Sequence, residues 1–257
     1  MGENKEFELS KNFKKYIPDR INYSLEIMLN EKNKTILGTN NRLIPTFWDT
    51  LNGEIIKYSV NDTSISVFIA KRGKWEFILI FDNNTQILYS LMKETNFKIL
   101  QKNVSKRLAP HYGDILARTF NKNLKDLGQV KFDAYSQSEP NTFSDDKINF
   151  AVDNILVNLN QPKSVIKNHA FILFDTAKSE IVKIRCVLIN NNFDVCFEEN
   201  WNNYIIANYN MVTETIISSD IIINNPTKGL AFTQKSKDKI EQKNNIELKK
   251  SQNAKES

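Results

Sequence analysis

Three apolar runs of strand length follow one another between residues 65 and 92. Two short polar turns, at 71–73 and 83–85, separate them. The runs are rich in β-branched and aromatic residues, which favour strands, so the pattern predicts an antiparallel β-meander. The middle run, 75–81, has large apolar side chains on both parities. A strand of this kind is covered on both faces, so we expect helices or a second sheet on each side of it.

A second β segment lies in the other half of the chain. Its predicted strands are 171–175, 180–189 and 193–198. A loop of three asparagines joins the last two of these strands. A loop of that length pairs Cys186 with Cys196, so we expect two neighbouring, reduced thiols in the core. The pattern leaves open whether the two β segments form one sheet or two.

Stretches whose apolar residues recur with helical spacing lie before the first β segment and between the two segments. The predicted helices are 7–30, 45–58, 95–101, 111–124 and one that begins at 144 or 145. Helices combined with antiparallel strands give an α+β fold, in which one or two meander sheets are flanked by helices. One or two further strands are predicted within 205–223.

Composition divides the chain into three parts. The polar, irregular stretch 129–144 marks a boundary between two halves, so the predicted domains are 1–130 and 131–232, tightly packed together. Residues 233–257 are rich in Lys, Glu, Gln and Asn and contain few large apolar residues. Such a segment cannot bury enough apolar surface to order itself, so we expect a disordered basic tail.

Residue counts exclude several classes of protein. No apolar run approaches the roughly 18 residues of a membrane span, and the N-terminus has no apolar signal region, so we expect a cytoplasmic protein. The two cysteines are too few for a disulfide scaffold or a cysteine zinc site, and the two histidines, His111 and His169, do not form an HExxH motif. The seven glycines form no phosphate-binding loop motif. We expect no cofactor.

The basic charge is concentrated in one segment. The chain has a net charge of +5, yet residues 93–125 alone contain eight basic and two acidic residues. Such a cluster is typical of a surface that binds phosphates or acidic proteins, although most lysine-rich helices are simply solvated. The predicted binding residues are Lys98, Lys102, Lys106, Arg107, His111, Arg118, Lys122 and Lys125.

Short motifs of the first half resemble an uncharacterised bacterial domain family of Gram-positive chromosomes and mobile elements. They are Asn40-Asn41-Arg42 before Trp48-Asp49, then Lys74-Trp75-Glu76, Tyr89-Ser90-Leu91-Met92, His111-Tyr112, Ala117 and Asn121-Lys122. The resemblance implies a genomic setting and no mechanism. We therefore predict a non-enzymatic protein of a mobile-element or phage-defence setting, which binds nucleic acid or an acidic partner through the basic segment and does not enter a membrane. The oligomeric state is left open.

Two kinds of nuclease are the alternatives. A cation-dependent nuclease would use Asp175 at the end of one strand with Glu180 and Lys183 on the next, but this Glu-x-x-Lys spacing places the last two on opposite strand faces. The pair Arg107 and His111 is similar to the Arg and His of HEPN-type ribonucleases. Only three residues separate them here, one of which is a proline, whereas that family has a longer gap on a continuous helix.

Overall fold

The six strands described here form one sheet in the order of the chain. The computed structural model describes residues 7, 9–34, 39, 41–124, 143–177 and 179–206. The strands are β1 (Ile65–Arg72), β2 (Trp75–Asp82), β3 (Ile87–Lys93), β4 (Asn168–Ala177), β5 (Glu180–Ile189) and β6 (Val195–Asn200). Neighbouring strands are antiparallel except β3 and β4, which are parallel. The two β segments are therefore two meanders joined side by side, and the predicted α+β fold is confirmed.

Helices cover both faces of this sheet. They are α1 (Lys11–Lys34), α2 (Leu43–Asn61), α3 (Glu94–Lys102), α4 (Tyr112–Phe120) and α5 (Asp145–Ile155), with single 3-10 turns at Val104–Lys106, Lys163–Val165 and Asn202–Tyr204. The apolar residues of α1 and α2 pack on one face, which we call the long-helix face. Those of α3, α4 and α5 pack on the other, the short-helix face.

The side chains of β2 show why both faces need cover. Ile78 and Ile80 pack into the core of the long-helix face. Leu79 and Phe81 alternate with them and pack into the core of the short-helix face. All four are buried, so the expectation that this strand is covered on both sides is confirmed.

The predicted pairing of the two cysteines is wrong. Strand β6 begins two residues later than expected, and Cys186 lies opposite Glu199. The loop is longer than three residues because the Asn190 side chain accepts hydrogen bonds from two backbone N–H groups, those of Asn192 and Asp194. These bonds turn Phe193 to φ 62° and bury it completely on the short-helix face. Both cysteines are nevertheless buried free thiols.

Helix α4 ends four residues before its predicted end. The sequence pattern extends the helix to residue 124, yet regular helix ends at Phe120 and Asn121 follows as its C-terminal cap. The buried Asn121 side chain hydrogen bonds to the backbone of β4 and β5, which draws the chain away from the helix axis. Lys122 therefore lies beyond the helix.

Several predictions concern residues outside the described ranges. These are most of the boundary region 129–144, the strands within 205–223 beyond residue 206, and the tail 233–257. The described residues up to Ile206 belong to one compact unit.

Candidate functional site

Both acidic residues of the basic segment are buried. Glu94 accepts two hydrogen bonds from Arg185, at 2.7 and 3.0 Å, and its side chain is 2% exposed. Asp114 is equally buried, forms an ion pair with Arg107 and accepts a hydrogen bond of 2.7 Å from the backbone N–H of His111. The segment therefore presents no carboxylate to solvent between residues 93 and 124.

The lysines of α3 and of the 3-10 turn after it are exposed. Lys98 and Lys102 lie one turn apart on the same side of α3, and Lys106 ends the 3-10 turn that follows. We call Lys98, Lys102 and Lys106 the lysine strip. Among the three lysines of the strip, only Lys98 forms an ion pair with a described residue. Its Nζ lies 3.9 Å from the buried carboxylate of Glu94.

Two other predicted binding residues, Arg107 and Arg118, have structural partners. The Arg107 guanidinium donates to the Leu100 carbonyl at 3.1 Å in addition to its ion pair, and lies 5.0 Å from the centre of the Phe193 ring. Arg118 lies 5.6 Å from the centre of the Phe143 ring and is half-buried. A substitution such as Arg118→Glu would disturb this packing, so it does not test binding alone. The predicted binding residue Lys125 lies outside the described residues.

His111 is the N-cap residue of α4, and its imidazole is uncharged. Its Nδ1 accepts a hydrogen bond of 3.1 Å from the Gly113 N–H. Burial, together with the positive charges of Arg72 and Arg107, lowers the pKa of His111 to about 3. The imidazole is therefore uncharged at neutral pH and has its proton on Nε2, which makes that nitrogen a hydrogen-bond donor. His111 thus adds no positive charge to the segment.

The sheet opens between β2 and β3. These strands are paired at Leu79 and Ser90 but no further toward the β1–β2 turn, although β1 and β2 stay paired up to Arg72 and Trp75. Strand β3 instead stays with β4 up to Lys93. The gap forms a groove with a volume of about 510 Å³, which we call the splay groove. Its lining includes Trp48, Arg72, Trp75, Phe77, Lys93 and His111.

Several aromatic rings line the splay groove. The rings of His111 and Tyr112 lie 4.3 Å apart between centres, and those of Tyr112 and Phe77 lie 4.5 Å apart. Trp75 is different, since it is 46% exposed and contacts no other described ring. Trp48 packs against Phe174, with 5.8 Å between the ring centres, and also lines the groove.

Two cations line the same groove. Neither Arg72 nor Lys93 forms an ion pair with a described residue, and Lys93 Nζ lies 5.4 Å from the centre of the Phe47 ring. Glu76 is the acidic residue on the described wall of the groove. It is paired with the exposed Lys71 at 2.8 Å. The groove therefore combines flat aromatic surfaces with a positive charge.

A second pocket adjoins the end of α4. It has a volume of about 480 Å³, and its lining includes Arg118, Lys122, Asp145 and Asn149. The predicted residues Arg118 and Lys122 thus come together here and not on the lysine strip. Asp145 places a carboxylate in the same pocket, so its charge is mixed.

Only part of the residue set of the alternative, a cation-dependent nuclease, comes together on the paired strands β4 and β5. Asp175 lies opposite Lys183, and a register shift follows before Glu180, which lies opposite Ala177. Within the described residues, no group of three or more His, Cys, Asp or Glu side chains could hold a metal ion. No observation on this part of the chain favours the nuclease.

Sequence reasoning missed the splay groove. Arg72 and Trp75 were assigned to a turn and a strand, and nothing in their local pattern shows that β3 leaves β2 beside them. A half-exposed tryptophan next to a basic turn is the only local signal. The groove depends on the pairing of β3 with β4, whose residues lie about eighty positions later in the chain.

Comparisons with known proteins give a family and no activity. A family model described as a family of unknown function, DUF5986, matches residues 6–251. The predicted resemblance to an uncharacterised domain family is thereby confirmed, and it extends far beyond the first half. No curated protein and no solved structure matches the chain. None of the described helices is long and apolar enough to cross a membrane.

Proposed function

The chain belongs to the DUF5986 family, and we propose that it is a non-enzymatic protein that binds nucleic acid through the lysine strip. The observation that carries this proposal is the burial of Glu94 and Asp114 with their arginine partners. Because these two carboxylates do not reach the surface, the exposed charge of α3 and of the turn after it is positive. A surface of that kind attracts a polyanion.

The spacing of the strip fits a phosphate backbone. Four helical residues rise about 6 Å, so Lys98 and Lys102 are separated by nearly the distance that two nucleotides span along a strand of B-DNA, about 7 Å. Each phosphate neutralised by a lysine releases counterions, and the affinity then falls with rising salt. Three such contacts predict a logarithmic salt slope of about −2 to −3.

Fluorescence anisotropy with labelled DNA and RNA tests the proposal on the full chain. At about 50 mM salt, where phosphate contacts are strong, we expect binding by the wild type. The triple variant Lys98→Glu, Lys102→Glu, Lys106→Glu should bind at least 30-fold more weakly. The matched control is Lys11→Glu, Lys15→Glu, Lys32→Glu, which makes the same charge change at exposed positions of α1 on the long-helix face.

Each outcome of this experiment supports a different conclusion about the lysine strip. Equal losses in the two triple variants would show that net charge alone drives binding, and the strip would have no special role. Absence of binding by the wild type would make the strip a solvated face. Retention of the chain by polyglutamate and not by nucleic acid would identify an acidic protein partner instead. The mobile-element or phage-defence setting is part of the proposal, and the genes beside the coding sequence check it.

A further inference from the structure

We propose that the splay groove binds one unpaired base of a single-stranded nucleic acid whose phosphates lie on the lysine strip. This inference rests on the proposed function and narrows it from nucleic acid in general to single strands. It derives from the opening of the sheet between β2 and β3, the aromatic walls of that opening, and two cations that form no ion pair with a described residue.

The aromatic surfaces suit a nucleobase. Trp75 presents a half-exposed indole that contacts no other described ring, so one of its faces is available for stacking. The column of His111, Tyr112 and Phe77 forms another wall of the same groove. Stacking of a base on an aromatic side chain adds affinity and tolerates any base.

The charges suit the phosphate attached to that base. Arg72 and Lys93 line the groove and have no ion pair with a described residue. A guanidinium presents several N–H donors in a plane, which matches the oxygens of a phosphate. His111 adds an uncharged Nε2–H donor, and the amide of Asn96 adds both a donor and an acceptor.

The groove and the lysine strip are continuous along the chain. Lys93 ends β3, and α3 begins at the next residue. Asn96 lines the groove and lies two residues before Lys98, the first member of the strip. Residues two apart on a helix lie on different sides of it, so a strand held by the lysines passes around the start of α3 before one of its bases enters the groove.

The size of the groove excludes a duplex. A volume of about 510 Å³ lies in the range of small-molecule pockets and holds one nucleotide, not a base pair within its stack. Bases in a duplex reach such a pocket only after unpairing and unstacking, which costs free energy. The groove therefore adds affinity for single strands and none for duplexes.

The test compares a 12-nucleotide single strand with the blunt duplex of the same sequence, by anisotropy on the full chain. We expect the wild type to bind the single strand at least tenfold more tightly. Trp75→Ala should lose about tenfold for the single strand and less than twofold for the duplex. Trp75→Phe should retain most of the affinity, because the phenyl ring still stacks. The control Phe150→Ala removes an exposed aromatic ring from α5 and should change neither affinity.

The outcomes separate this inference from the proposed function. Equal binding of single strand and duplex by the wild type would overturn the proposed base site in the splay groove. The proposed binding of nucleic acid by the lysine strip would be unaffected. Failure to bind either polymer would overturn both. Binding of a free mononucleotide without preference for the single strand would show a nucleotide pocket unrelated to a strand, and would also overturn the inference. The inference is supported if the lysine-strip variant loses affinity for both the single strand and the duplex, while Trp75→Ala loses affinity for the single strand alone.

Discussion

The long-helix face of the sheet is covered by helices of 24 and 19 residues, whereas the short-helix face is covered by helices of 9, 9 and 11 residues. A long amphipathic helix covers a sheet through apolar contacts along several turns. A helix shorter than about 12 residues is marginal by itself and needs other contacts to hold it. The two faces therefore differ in what fixes their helices.

Buried polar side chains supply these contacts on the short-helix face. Ser90 Oγ and His169 Nε2 lie 3.0 Å apart in the centre of the sheet, and both residues are fully buried. Asn121 fastens the end of α4 to β4 and β5. Asp114 and Glu94 fix the starts of α4 and α3 through their arginine partners. Both the lysine strip and the splay groove depend on helices that are held in this way.

The largest expected effect comes from Asn121. Its Nδ2 donates to the carbonyls of His169 and Ile189 at 2.7 and 2.9 Å, and its Oδ1 accepts from the His169 N–H at 2.9 Å. Asn121→Ala leaves three backbone groups of the sheet without these partners. Each buried unsatisfied group costs about 1–3 kcal/mol, so we expect a loss of about 4 kcal/mol in the free energy of unfolding. Urea denaturation measures it.

The exposed neighbour Asn123 is the control for this substitution. Asn123→Ala should change the free energy of unfolding by less than about 0.5 kcal/mol, as do most surface substitutions. A similar loss in both variants would show that the chain after α4 is sensitive as a whole and that Asn121 has no special part in fastening it.

On the long-helix face, the corresponding substitution removes an apolar contact, and its effect on the free energy of unfolding is measured in the same way. Ile21 is fully buried in α1 within the larger core. Ile21→Ala removes buried methyl groups and leaves a cavity, so we expect a loss of about 3 kcal/mol. Because α1 contributes nothing to the described lining of the splay groove, nucleic-acid affinity should stay within twofold of the wild type under conditions where the variant is folded. A large drop in affinity would mean that the two faces are not independent.

The third effect is a dependence of stability on pH. Burial lowers the pKa of His169 to about 3, below its ordinary value of 6.5. Between these two pH values the unfolded chain holds a proton at this residue and the folded chain does not, so stability falls as the pH decreases from about 6.5 toward 3. The contribution of one such group is roughly 1.4 kcal/mol per pH unit.

The variant His169→Gln should reduce the pH slope by about that amount between pH 4 and 6. The slope is the informative quantity, because the loss of the contact with Ser90 lowers stability at every pH. Asn123→Ala serves as the control and should keep the slope of the wild type. An unchanged slope in His169→Gln would show that His169 accepts a proton in the folded state.

What the sequence predicts follows the same division between the faces. Local patterns are enough for the existence of the strands and of α1 and α2, because their apolar residues recur with a clear period. They do not fix the ends, since α1 begins and ends four residues later than the predicted 7–30. The pattern also predicts the burial of Ile78 and Leu79 on opposite faces, which the structure confirms. The predicted end of α4 and the predicted register of β6 were wrong, because the side chains of Asn121 and Asn190 hydrogen bond to the backbone. A periodicity of apolar residues has no information about such bonds.

The candidate site is predicted in part for a related reason. Charge counting finds Lys98, Lys102 and Lys106, because exposed lysines on a short helix need no distant partner. It does not show that Arg107 is held by Asp114 or that Arg118 belongs to another pocket. The splay groove depends on the parallel pairing of β3 with β4, which joins distant parts of the chain. Only the three-dimensional arrangement shows it.

The smallest expected effect concerns Glu76, the acidic residue on the described wall of the splay groove. Glu76 and Lys71 are both more than half exposed, with side-chain exposures of 56% and 59%, and a surface ion pair of this kind contributes about 0–1 kcal/mol. Glu76→Gln should therefore change the free energy of unfolding by less than about 0.5 kcal/mol. The same substitution removes a negative charge beside Arg72 and Lys93. We expect the affinity for a single strand to rise about two- to threefold at 50 mM salt, and this gain to disappear at high salt, where the Debye length shrinks to about 3 Å. The duplex, which does not enter the groove, should show a smaller gain. If the two affinities rise equally, the charge of Glu76 acts on the whole surface and the groove does not discriminate between the two forms.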